Sequence, residues 1–111
     1  MLWFNRPKTA SAWDEQSTLF EKRMMAEVRP FVESGQLDDY QLEDEAWTVV
    51  GTRGVIWAKK EPDPYSPMRN FPTFNLVVDI DGVSSIVESG DVATLIQKAK
   101  VEYPTEAGRQ A

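Results

Sequence analysis

The chain of 111 residues contains neither cysteine nor histidine. Without cysteine there is no disulfide framework, no thiolate metal site and no thiol nucleophile. Without histidine the chain lacks the commonest ligand of transition metals and the commonest general base near neutral pH. Serine–histidine–aspartate triads, cysteine–histidine pairs and zinc-hydrolase chemistry are therefore excluded. We expect a protein that is not an enzyme and that holds no metal and no cofactor.

Long apolar segments are also absent from the sequence. No run approaches the ~18 residues that a membrane-spanning helix needs. The apolar start, with Leu2, Trp3 and Phe4, is much shorter than the central region of a signal peptide, which has about 7–15 residues. We therefore expect a soluble, cytoplasmic protein that does not associate with membranes.

Acidic side chains outnumber basic ones by 18 to 12, which gives a net charge of −6. A surface of this sign repels phosphate backbones, so direct binding of nucleic acid is disfavoured. Six acidic residues and no basic one lie from Glu33 to Glu45, here called the acidic block. Such a block is most often a solvated face, and the alternative is a patch that attracts a basic protein. The residues expected to face this partner are Asp38, Asp39, Glu43 and Asp44.

The remaining composition is that of a globular chain, with 41% hydrophobic residues, four Trp, three Tyr and five Phe. A chain of this length builds one domain around one core. We expect an N-terminal arm over residues 1–10, a single domain over residues 11–103 and a polar tail over residues 104–111.

Two segments carry apolar residues at helical spacing. The first begins at an N-cap candidate, Ser11, and we expect Pro30 to end or kink it, although one more turn up to a cap at Gly35 also fits the sequence. The second is capped by Ser89 or Asp91. The apolar stripes are Trp13, Phe20, Met24 and Val28 in the first helix, and Val92, Leu95, Ile96, Ala99 and Tyr103 in the second.

Between the helical segments the apolar period changes to two. The β-branched and aromatic runs 47–51 and 55–59 predict one hairpin. The alternating run 74–80 and the run 83–87 predict a second hairpin, because Asp81–Gly82 supplies two residues that tolerate positive φ. These runs together predict four antiparallel strands.

The order of these elements predicts an α+β fold. Each helix has a single apolar stripe, so both helices must cover the same sheet face. We expect a two-layer sandwich with an N-terminal helix, a four-stranded antiparallel meander and a C-terminal helix. The periodicity leaves open whether Leu37, Tyr40 and Leu42 form a short helical turn or an additional edge strand.

The stretch from Val77 to Val83 places Asp79 and Asp81 directly after a hydrophobic strand. It resembles the first motif of the haloacid dehalogenase superfamily of phosphotransferases. The resemblance implies that Asp79 is a nucleophile, that Asp81 is an acid/base and that both help to hold magnesium. It covers seven residues, and the chain after Val83 is too short for the parallel sheet of that family. We therefore expect a hairpin here and keep a metal-dependent phosphotransferase as a remote alternative.

Four of the seven prolines lie between Glu61 and Pro72. We expect a loop that is longer than two antiparallel strands require. This loop either covers the open face of the sheet and buries Phe71, or it contacts a partner, since prolines stiffen a loop and reduce the entropy lost on binding. The residue types there that are favoured in interface centres are Tyr65, Met68, Arg69 and Phe71.

Trp3 and Phe4 precede the first helix, and they either pack under the sheet edge or insert into another chain.

Together these features predict a small acidic protein that binds another protein and occludes its surface. An inhibitor, an adaptor or an immunity-like factor of phage or plasmid origin has this physical character. Aromatic side chains would form the centre of the contact, and the acidic block would steer a basic partner. The alternative is a structural subunit of a virion or of a multiprotein complex, and a homo-oligomer is left open.

Overall fold

The computed structural model describes residues 19–40 and 45–106, with the backbone alone for residues 66–69. Its described strands form one antiparallel sheet in the order β1-β2-β3-β4-β5, which confirms the α+β class. In chain order the elements are α1 (Leu19–Glu33), β1 (Leu37–Asp39), β2 (Ala46–Val49), β3 (Val55–Asp63), β4 (Ser66–Ile80), β5 (Val83–Ser89) and α2 (Val92–Glu102).

The sheet has one strand more than the four that we expected. The additional strand is β1, in which Leu37 lies opposite Val49, so the segment left open between a helical turn and an edge strand is a strand. Leu37 is buried, whereas Asp38 and Asp39 are exposed. A strand of three residues with a single buried side chain is too short to produce a recognisable period, which is why the sequence did not decide it.

Helix α1 continues past Pro30 and ends at Glu33. Beyond its end Gly35 has a φ of 81°, and the N–H of Gln36 donates to the carbonyl of Phe31 at 2.9 Å. This combination is typical of helix ends that are capped by glycine in the left-handed conformation. The longer of the two expected ends is therefore confirmed. The expected start of this helix, at Ser11, lies outside the described residues.

Both helices pack on one face of the sheet. The strand residues of the core share that face, since the register pairs Trp47 with Ile56 and Ile56 with Leu76 and side chains alternate between faces along a strand. The core consists of Phe20, Met24 and Val28 of α1, Val92, Leu95, Ile96 and Ala99 of α2, and Leu37, Trp47, Val49, Ile56, Ala58, Phe74, Leu76 and Val78 of the sheet.

The turn between β4 and β5 is the two-residue turn that the sequence predicted. Asp81 has a φ of 53° and Gly82 a φ of 82°, as a type I′ turn requires. The carboxylate of Asp79 accepts a hydrogen bond from the N–H of Gly82 at 2.8 Å. The prediction of a hairpin at Asp79–Gly82 is therefore confirmed.

The loop between β2 and β3 packs closely against the core and against the end of α2. The hydroxyl of Thr52, which is buried, donates to the carbonyl of Val49 at 2.9 Å and accepts from the N–H of Gly54 at 3.0 Å. After α2, the N–H of Thr105 donates to the carbonyl of Gly51 at 3.0 Å. The start of the predicted polar tail thus contacts this loop.

No helix in the described part of the chain is both long and apolar enough to cross a bilayer.

Replacing Gly54 by alanine should destabilise the fold. An added Cβ would lie 2.7 Å from Cδ1 of Leu76 and 3.1 Å from Cβ of Ala99, and forcing atoms into a packed core costs about 1–3 kcal/mol. Urea unfolding should show this loss for Gly54→Ala and almost none for Ser84→Ala at an exposed strand position. Equal midpoints for the two variants would contradict the packing described for this loop.

Candidate partner-binding surface

The central pair of strands is longer than its neighbours and projects from the sheet. The last register pair of β2 with β3 on that side is Ala46 with Trp57, and the last of β5 with β4 is Ser89 with Asn75. Pairing of β3 with β4 continues beyond both, to Pro62 opposite Asn70. Residues 59–73 therefore form a two-stranded projection, here called the ribbon.

The ribbon occupies the segment where we expected a proline-rich loop, and that expectation is corrected. Prolines interrupt a strand when the missing N–H belongs to the ladder, but they are tolerated where the nitrogen faces away from the paired strand. Pro62 and Pro72 lie opposite Asn70 and Lys60 in an uninterrupted part of the ladder. The extra length of the segment is thus used for strand pairing.

The tip of the ribbon is ordered by local and tertiary contacts. The carboxylate of Asp63 accepts a hydrogen bond from the N–H of Tyr65 at 2.9 Å, which closes a turn through the aspartate side chain. The same carboxylate lies 3.7 Å from the guanidinium of Arg23 in α1. The side chain of Tyr65 itself is 95% exposed. The tip therefore presents an aromatic side chain to solvent on an ordered backbone.

The two faces of the ribbon carry different contacts. On the helix side, the ammonium of Lys60 lies 5.2 Å from the ring centre of Phe20, a cation–π distance. On the opposite side, Lys59 and Glu61 form an ion pair at 3.3 Å. Phe71 lies opposite Glu61 in register and is half-buried. Helix α1 thus supports one face, and the other presents a mixed apolar and charged surface.

The expected partner-binding residues fall in two separate places. Tyr65 and Phe71 belong to the ribbon, whereas Asp38 and Asp39 are exposed on β1 at the edge of the sheet. Asp39 pairs with Trp47, and Trp47 pairs with Ile56, so Asp39 and Ile56 lie side by side across the sheet. From Ile56 to Tyr65 the chain advances by about 30 Å at ~3.3 Å per residue. These two groups do not form one compact site.

The other expected contact residues are not placed by the structure. Met68 and Arg69 lie within β4, and nothing is described of their side chains. Trp3, Phe4, Glu43 and Asp44 lie outside the described residues.

Sequence patterns did not indicate a shallow groove of about 450 Å³ at the base of the ribbon. Its lining comes from three elements that are distant in the chain, so no local motif could have predicted it. At one end the hydroxyl of Thr94 donates to Asp91 at 2.7 Å, and this hydrogen bond lowers the pKa of the Asp91 carboxyl. The groove is lined by Arg23, Ala26 and Glu27 of α1, Pro72 and Phe74 of β4, and Asp91 before α2.

Among the described residues, the two aspartates of the phosphotransferase-like motif do not belong to any acidic cluster that could hold a metal ion. Asp79 and Asp81 are both exposed, and Asp79 accepts the hydrogen bond that closes the turn. Within the described residues, no three histidine, cysteine, aspartate or glutamate side chains are grouped so that they could hold a metal ion.

Comparisons with protein-family models, with curated proteins and with solved structures find no match to this chain. The function proposed for it therefore rests on its own residues and on their geometry.

The substitution Asp63→Ala should loosen the tip of the ribbon while leaving the core intact. Without the carboxylate, the N–H of Tyr65 loses its hydrogen bond and Arg23 loses its ionic partner. We expect faster hydrogen exchange at the Tyr65 amide with little change in the melting temperature. Asp79→Ala, which removes the corresponding carboxylate from the other turn, is the matched control and should affect Gly82 instead. Unchanged exchange at Tyr65 in the Asp63 variant would be evidence against this ordering.

Proposed function

We propose that this chain is a small non-enzymatic protein that binds another protein and covers part of its surface. The ribbon is the contacting element in this proposal. The observation that supports it most is the position of Tyr65, which is 95% exposed at the end of a projecting hairpin. Tyrosine is enriched among the residues that contribute most to binding at protein interfaces.

The order of the tip strengthens this proposal. Because Asp63 bonds to the backbone of Tyr65 and lies beside Arg23, the loop is already arranged before a partner arrives. Binding by an ordered loop loses less conformational entropy than binding by a mobile one. A ribbon of this kind fits a cleft or pocket that accepts an aromatic side chain.

The acidic edge strand suggests the charge of the partner. Asp38 and Asp39 are exposed, and neither forms an ion pair with another described residue. Together with the net charge of −6, these carboxylates would attract a basic surface and raise the rate of encounter. A basic protein is therefore the partner that we propose.

A second candidate function is that of a subunit in a larger assembly. It is supported by apolar side chains of the hairpin of β4 and β5, where Ile80 and Val83 lie opposite each other and are 43% and 63% exposed. Neighbouring exposed apolar residues often mark contact sites. This hairpin lies at the opposite end of β4 from the ribbon, so the two candidates predict different contact residues.

The more specific predictions made from the sequence belong to the same proposal. They are a role as an inhibitor, adaptor or immunity-like factor, an origin in a phage or plasmid, and a cytoplasmic location. The remote alternative, a phosphotransferase at Asp79 and Asp81, has less support, because Asp79 is already engaged with Gly82 in the turn.

Substitution of Tyr65 tests the ribbon directly. The immobilised full chain is used to capture proteins from a lysate of its source cells, and a captured protein is then purified and titrated by calorimetry. Tyr65→Ala should weaken binding at least about tenfold, or ~1.4 kcal/mol. Val101→Ala is the matched control, since Val101 is a 68% exposed apolar residue on α2, away from the ribbon.

Two outcomes of this titration would contradict the proposed role of the ribbon. One is equal affinity of the wild type and the Tyr65 variant for the purified partner. The other is loss of binding on Val83→Ser with no effect of Tyr65→Ala, which would favour the subunit function instead.

Charge reversal on β1 tests steering by the acidic edge. In Asp38→Lys combined with Asp39→Lys, association with the purified partner should slow about tenfold at low salt, and the difference should shrink as salt screens the charges. Glu102→Lys combined with Glu106→Lys changes the net charge equally at exposed sites outside the acidic block and away from the ribbon. Equal association rates in the two double variants would refute steering from β1.

A further inference from the structure

The phase of hydrogen bonding in the ribbon follows from two bonds at its base. Ala58 donates its N–H to the carbonyl of Glu45 at 2.9 Å, and the carbonyl of Phe74 accepts from Gly90 at 3.2 Å. Ala58 and Phe74 lie opposite each other in register, yet the N–H of Ala58 and the carbonyl of Phe74 each point away from the paired strand. They are therefore a pair without mutual hydrogen bonds, and such pairs alternate with hydrogen-bonded pairs along an antiparallel ladder.

The same phase recurs two and four residues further along each strand. Lys60 lies opposite Pro72, and Pro62 lies opposite Asn70, with no register shift before Pro62. Both pairs therefore also lack mutual hydrogen bonds, so their backbone nitrogens face the outer edges of the ribbon. One edge carries a proline at position 62 and the other a proline at position 72. Neither proline has an N–H to offer there.

A strand that adds to an open edge needs the outward N–H and carbonyl groups of that edge. On β4, the first backbone nitrogen that faces outward beyond the last pair with β5 is that of Pro72, and the next is that of Asn70. On β3, the outward positions beyond Ala58 are those of Lys60 and Pro62. On each edge, therefore, one of the two outward backbone nitrogens has no hydrogen to donate.

The other edges of the described sheet carry different obstacles to strand addition. The edge strand β1 has three residues, of which Asp38 and Asp39 are exposed and acidic. The edge strand β5 pairs with β4 through a register shift between Leu76 and Val77. Short charged strands and bulges are known ways of protecting sheet edges. Within the described residues, no strand lies beside either edge of the ribbon, and its prolines occupy outward positions on both edges.

We propose that Pro62 and Pro72 close the two edges of the ribbon against strand addition by a second copy of this chain. The ribbon then remains a two-stranded projection that offers its faces and its tip for contact. This inference concerns the edges alone, so it holds or fails independently of which partner, if any, the tip binds.

The test is to restore the missing donors and to measure self-association. Pro62→Thr, Pro72→Thr and the double variant each introduce an N–H at an outward position, and threonine favours strands. Sedimentation velocity over a range of concentrations should show that the double variant associates at concentrations at least about tenfold lower than the wild type. In the associated state, the amides at positions 62 and 72 should be protected from hydrogen exchange.

Two further variants separate edge closure from a general effect of losing proline. Pro64→Thr makes the same exchange in the turn, outside the strand pairing, and should keep the mass of the wild type. Asn70→Pro combined with Pro72→Thr moves the block to the next outward position on the same edge, so it should associate less than Pro72→Thr alone.

The proposal is overturned if the double variant, folded by circular dichroism, sediments as the wild type does at every concentration. It is also overturned if Pro64→Thr associates as strongly as the double variant. Because the single variants open one edge each, a double variant that fails to fold leaves Pro62→Thr and Pro72→Thr to decide by the same criterion.

Discussion

The pairing of β3 with β4 is the interaction on which the rest of the molecule depends. Its inner part places Ile56 beside Leu76, and both side chains are fully buried beneath the helices. Its outer part is the ribbon. Because the same ladder passes from the core into the projection, the packing of the core sets the direction in which the ribbon points. Helix α1 adds support through Arg23 and through the ring of Phe20 beneath Lys60.

The distance between the ribbon tip and the acidic edge constrains how a partner would meet this chain. Charges in solution are screened within about 8–10 Å at physiological salt, whereas Asp39 and Tyr65 are separated by about 30 Å along the strands. The carboxylates on β1 therefore cannot act on a small group held at the tip. They can orient a partner only if it is large enough to lie along the sheet.

Features that depend on neighbouring residues in the chain were predictable from the sequence. Met24 and Val28 follow the helical period and are buried, and Asp81–Gly82 forms the expected turn. The cap of α2 by Asp91 is likewise local. Such features require no knowledge of what lies across the sheet, because their physical causes are contained within a few residues.

Features that depend on register were not predictable in the same way. Whether Pro62 interrupts a strand is decided by the phase of its ladder, which is set by the hydrogen bond from Ala58 to Glu45 and not by residues beside the proline. The same holds for β1, whose only buried side chain, Leu37, gains its partner from β2. For the candidate surface, the sequence predicted Tyr65 and Phe71 as contact types, but it did not predict that a ladder would carry them.

Amide hydrogen exchange along the ribbon is the most direct test of this account. If β3 and β4 pair as described, the amides of Glu61 and Phe71, which belong to a hydrogen-bonded pair, should be protected. Those of Lys60 and Asn70, which face outward, should exchange rapidly. Rapid exchange at all four amides would show that the segment is a loop, and the central claim would then fail.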